Sequence, residues 1–123
     1  MDIKTLLSEQ PSELGLTLAS GHAGVDRRVT LAMTQKPGLA LAGFTEMVKP
    51  GRIQILGRAE LDYLASLALE NAQKALDNLF SCVFPAIIIT WGIPVPALLA
   101  TMADQRSVPI LTTQTGTSIF VDA

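Results

Sequence analysis

From Asn78 to Ala103 the chain reads NLFSCVFPAIIITWGIPVPALLATMA and carries no charged residue. A run this long and this apolar has to be hidden from water, in a membrane or in a core. A spanning helix needs ~20 consecutive apolar residues. Pro85, Gly92, Pro94 and Pro96 would interrupt such a helix repeatedly, and no basic cluster flanks the run. It therefore reads as a buried strand, a turn and an apolar helix. Ile87, Ile88 and Ile89 stand in succession between Pro85 and Gly92. A strand with no polar alternation is covered on both faces, as in a parallel sheet with helices above and below.

The neighbouring segments fit that layout. Arg52 to Leu56 (RIQIL) reads as a strand stopped by Gly57. Leu61, Leu64, Leu67, Ala68, Ala72, Ala75, Leu76 and Leu79 recur at three- and four-residue steps. That spacing predicts helix, in one piece or in two with a break near Glu70. Pro96 to Arg106 predicts a covering helix, and Val108 to Thr112 a second buried strand whose Pro109 points to a sheet edge. Upstream, Asp2 caps a short helix ending at Glu9, with Pro11 beyond it. Leu14 to Ala19 reads as a strand, Gly21 and Gly24 as a turn around His22, and Asp26 to Leu31 as a second extended piece. Lys49-Pro50-Gly51 is a turn, and the tail from Thr112 gives a polar loop and a last short helix. Helix and strand alternate from Arg52 onward. The expected fold is α/β, a mostly parallel β-sheet flanked by helices, in a single domain over residues 1–123.

Composition excludes several function classes. Hydrophobic residues at 49% and charged residues at 16% rule out a disordered chain. A net charge of -2 leaves no basic surplus to grip a nucleic-acid backbone. The single cysteine, Cys82, cannot form an internal disulfide, and MDIKTLLSEQPSE lacks the apolar run of a secretory signal. Both point to the cytoplasm.

Chemistry-bearing motifs are sparse. PGLALAGFT (Pro37 to Thr45) matches the phosphate-cradling pattern G-x-x-x-x-G-K-[ST] at every fixed position but one, with Phe44 in place of the lysine. No clear strand leads into Gly38, so the segment reads as an apolar piece tucked against the sheet. His22, the only histidine, lies in a turn between glycines and reads as a surface residue. Cys82 lies in apolar LFSCVF and reads as core filler. No cysteine or histidine cluster suits a metal. No catalytic, cofactor-binding or metal-binding residue is assigned.

Two polar groupings remain. One is Asp26-Arg27-Arg28, joined by Arg52 and Arg58 around strand ends. The other runs from Thr112 to Ser118 after the last strand. Open α/β sheets bind ligands beyond the carboxyl ends of their strands. Arg27, Arg28, Arg52, Arg58, Thr115, Thr117 and Ser118 are therefore candidate contacts for a phosphate or carboxylate. The plainer reading is surface salt bridges and a polar turn.

GVDRRVT, KPGLALAGF, RIQILGRAELDYLASL, LFSCVFPAIIIT and VPILTTQTGTSIF occur in that order between about Leu6 and Val121. Together they resemble the N-terminal domain of bacterial HPr kinase/phosphorylase. The resemblance implies a fold like the N-terminal domain of muramyl ligases. It implies a non-catalytic regulatory or assembly role in an enzyme that phosphorylates and dephosphorylates a serine of HPr, the phosphocarrier of the sugar phosphotransferase system. ATP and magnesium would belong to a C-terminal P-loop domain outside this chain, and PGLALAGFT would not be that loop. The implied partners are that kinase domain, HPr through it, and other copies of the chain in a homo-oligomer, with no nucleic acid and no membrane. Arg27, Arg52, Arg58 and Thr117 match the family pattern, which gives them no catalytic role. Trp91 stands where many relatives would carry a basic residue, and Lys36 where arginine is common. A reading from another class is a stand-alone sensor of a small phosphorylated or anionic metabolite. A third is an oligomerisation module built on the uncharged stretch from Ile87 to Met102.

Overall fold

The sheet forms where β-branched and apolar residues are densest. In the computed structural model, residues 2–10, 14–29, 34–35, 37–43, 45–48 and 51–116 are described. Strands β1 (Thr17–Ser20), β2 (Thr34–Gln35), β3 (Ile53–Leu56), β4 (Ile87–Ile89) and β5 (Ile110–Thr112) make one sheet in the order β1-β5-β4-β3-β2. β2 to β5 are mutually parallel, and only β1 runs antiparallel, against β5. The register aligns Ile55, Ile88 and Leu111 across the three central strands, with Leu56, Ile89 and Thr112 one step on. The expected α/β fold with a mostly parallel sheet is the one observed.

Helices α1 (Ile3–Glu9), α2 (Gly38–Leu41), α3 (Arg58–Ser66), α4 (Leu69–Phe80) and α5 (Ala97–Arg106) cover the sheet. The pleat sends alternate side chains to opposite faces. Leu56, Ile87, Ile89 and Ile110 meet Leu61, Leu76, Leu79 and Leu99 on one face. Ile53, Ile55, Ile88 and Leu111 meet Ile3, Leu6 and Leu7 of α1 on the other. Gln54 falls on the first face by the same alternation and is fully buried, its amide donating to Arg52 O at 2.9 Å.

The expected boundaries shift for identifiable reasons. The helical run is two helices, as one of the two expected alternatives has it, and the break near Glu70 falls at Leu67 and Ala68, where the chain is extended, with Glu70 in the first turn of α4. The first strand starts at Thr17 because the Gln10 side chain takes both main-chain groups of Leu16 (2.6 and 2.9 Å) and keeps it out of the ladder. Of the expected strand from Asp26 to Leu31, the described part contributes one bridge, Arg28 to Asp2. β5 is an interior strand between β1 and β4, not an edge. Pro109 is tolerated because it precedes the ladder, where its carbonyl still accepts Ile87 N at 2.9 Å. Lys49, Pro50 and the tail after Gly116 lie outside the described residues. No helix among the described residues is long and apolar enough to cross a membrane.

Asp2 does cap α1, accepting from Thr5 N at 2.8 Å. Hydrogen bonds from the side chain and amide of Thr5 hold its carboxyl below the ordinary 3.8. A carboxylate with a lowered folded value stabilises above its unfolded pKa and loses that contribution as pH falls through the lowered one. The protection factors of the α1 amides, taken against intrinsic exchange at each pH, should therefore fall on acidification below pH 3.8. In Asp2→Asn, which keeps an acceptor without a titrating group, this part of the pH response should vanish.

Candidate functional site

Parallel β3, β4 and β5 bring three loops to one end of the sheet. These are Gly57-Arg58 after β3, Thr90–Ile93 after β4 and Thr113–Gly116 after β5. The β4 loop is a tight turn, closed by Ile93 N donating to Thr90 O at 3.3 Å. Its two central residues, Trp91 and Gly92, have φ of 62° and 64°. Two positive φ values in succession are the mirror-image turn that glycine and asparagine usually supply.

The turn is tied to its neighbour. Trp91 N donates to Thr115 O and Gly92 N to Thr113 O, both at 2.9 Å. A Cβ at Gly92 would collide with the Gln114 side chain, and one at Gly116 with the Trp91 ring. The indole thus lies against Gly116 and is still 58% exposed. Thr113 Oγ1 donates to Leu14 O. With that proton committed, the Thr115 hydroxyl, 3.0 Å away, is the donor in the Thr113–Thr115 pair. Across the sheet, Glu60 reaches back to accept from Gly57 N at 2.8 Å, which fixes the start of α3 and leaves Arg58 exposed in its first turn.

Of the candidate anion contacts, Arg58 and Thr115 share this end of the sheet. Arg52 precedes β3 and lies at the opposite end, with Nε buried and unpartnered among the described residues. Arg27 is also at the amino end. Its guanidinium donates from Nε to Ser107 O (2.8 Å) and from its terminal nitrogens to Phe84 O and Arg106 O (both 3.2 Å). Arg28 is exposed beside Asp2. The four arginines therefore do not gather in one place. Thr117 and Ser118 lie outside the described residues.

The near-P-loop is a core element in its described part. Contrary to expectation, a strand does lead toward it: β2 ends at Gln35. The segment is anchored by α2, whose Ala40 and Leu41 are buried in the same cluster as Ala75 and Leu79 of α4. His22 is exposed at the start of a 3₁₀ turn, and Cys82 is half-buried. Among the described residues no group of three His, Cys, Asp or Glu could hold a metal ion. An apolar groove of about 310 Å³ opens between α3, α4 and the start of α5, lined by Leu61, Leu64, Leu67, Leu69, Leu76 and Leu98 among others.

In the sequence Trp91 stands out only for the basic residue it replaces. Its signal was the glycine that follows it, but no sequence rule marks an aromatic residue in a left-handed turn.

The comparisons with known proteins agree. A family model described as HPr Serine kinase N terminus matches residues 1–123. An HPr kinase/phosphorylase of Geobacter sulfurreducens is 36% identical over 119 residues, covering 97% of this chain and 37% of the relative. That of Chromobacterium violaceum is 37% identical over 109 residues, 89% of this chain and 34% of the relative. That of Bacillus subtilis is 32% identical over 99 residues, 80% of this chain and 32% of the relative. The chain spans about a third of the length of these curated relatives.

Proposed function

Because the chain belongs to the HPr serine kinase N-terminal family, we propose that it is the non-catalytic regulatory or assembly part of a bifunctional HPr serine kinase/phosphorylase acting in carbon catabolite regulation. The observation that carries this reading is the proportion of the match, which fills this chain but only 37% of the Geobacter sulfurreducens relative. The chain also contains no G-x-x-x-x-G-K-[ST] sequence. On this reading ATP, magnesium and HPr are handled by the remainder of such a protein, in the cytoplasm, and this domain influences that remainder by contact. Incubating the purified chain with ATP, magnesium and HPr should yield no phosphoserine on HPr. Transfer by the 123-residue chain alone would overturn the proposal.

A second reading, binding of a small anionic metabolite, draws on Arg58 in the first turn of α3 at the carboxyl ends of the strands. A thermal-shift series with phosphorylated and carboxylated metabolites checks it. A shift that Arg58→Ala abolishes would support it, and the absence of any shift would remove it.

A further inference from the structure

Trp91 is a large residue in a backbone conformation that suits glycine, asparagine or aspartate. Such strain persists only where the surroundings over-determine it. Here the two hydrogen bonds to Thr113 O and Thr115 O do so. Burial of the indole does not explain its presence, because more than half of it stays in water. The residues that follow it carry no charge: Pro94 is exposed, and Ile93 and Val95 are half-buried against the core. An exposed aromatic ring at the head of an uncharged, partly apolar segment has the composition of an interface anchor.

Two observations say what covers it. The main chain runs from β5 through Thr113 and Thr115, which hydrogen-bond the turn, to Gly116, which lies against the indole. The described chain after β5 therefore ends at this patch, with Gly116 against the indole. The relatives are also about three times as long as the matched segment. A unit carried on the same polypeptide has a high effective concentration at the patch, so a small apolar surface suffices to hold it.

We propose that the turn from Trp91 to Val95 is the docking face for the polypeptide that follows this domain in the longer relatives, with Trp91 as its anchor. The inference rests on the family reading above and would make the patch the route by which the domain influences the rest of such a protein.

The test joins residues 1–123 to the remainder of the Geobacter sulfurreducens relative and compares hydrogen exchange with that of the chain alone. The Val95 amide should exchange at least tenfold more slowly in the fusion; those of Trp91, Gly92 and Ile93 are already hydrogen-bonded, and Pro94 has no N–H. Trp91→Asn should abolish that difference, while the melting temperature of the isolated chain stays the same or rises, because asparagine accepts the left-handed turn. Equal exchange in both proteins would overturn the proposal, as would protection that survives Trp91→Asn. Protection that grows with concentration in the chain alone would assign the patch to a second copy instead. Should the fusion fail to fold, the remainder is added in trans to chain labelled with fluorotryptophan at Trp91, its only tryptophan. An unchanged fluorine signal at millimolar remainder would then count against docking. The phosphoserine assay on the chain alone reads the family-level proposal separately, so either can fail without the other.

Discussion

Gly21→Ala should remove about 4 kcal/mol of stability, the sum of a left-handed penalty of ~1–2 and an overpacking term of ~1–3. Gly21 is buried at φ 68°, its N–H donating to Asp104 Oδ1 at 2.6 Å. A Cβ there would be driven into the Val108 carbonyl. Main chain lies on both sides of that contact, so no rotamer change relieves it. Native domains are stable by only ~5–15 kcal/mol, so a large part of the total would be lost. Gly15→Ala is the matched comparison: φ is 55°, but the nearest atom to its Cβ, Thr113 Oγ1, is 3.8 Å away. It should lose only the conformational part, about 1 kcal/mol. Urea unfolding of both variants reads the difference, and equal losses would mean that close approach to Val108 is not what requires glycine at 21.

Arg27→Ala should cost about 3 kcal/mol. Hydrogen bonds to charged groups contribute ~1.5–3 kcal/mol each in favourable settings, and the part-exposed position of Arg27 discounts the sum. The side chain bridges the carbonyls of Phe84, Arg106 and Ser107, which lie just before β4 and β5, from the turn that follows β1. Truncation strands these acceptors together. Arg27→Lys should recover little, because a single ammonium cannot satisfy three acceptors spread around a planar fork. If lysine restores full stability in thermal unfolding, charge rather than geometry is what this position supplies.

The readability of the sequence followed the range of the forces involved. Ile87 to Ile89 and the leucine and alanine spacing of α4 report burial directly, so the central sheet and its cover were visible without coordinates. The break at Leu67 and Ala68 is legible only to within a few residues, because no proline or glycine marks it. Pro109 points to an edge only if its missing N–H falls within the ladder, and it falls just before it. Arg27, Arg52 and Arg58 were grouped by charge, but position along a chain does not say at which end of a strand a residue emerges. β3 itself separates Arg52 from Arg58. The turn at Trp91 depends on hydrogen bonds to Thr113 and Thr115, more than twenty residues downstream, which no local pattern encodes.

The place of β5 between β1 and β4 has a mechanical consequence. A pull on any polypeptide continuing from this strand enters the middle of the sheet and loads both flanking ladders in shear. An edge strand would peel away one hydrogen bond at a time.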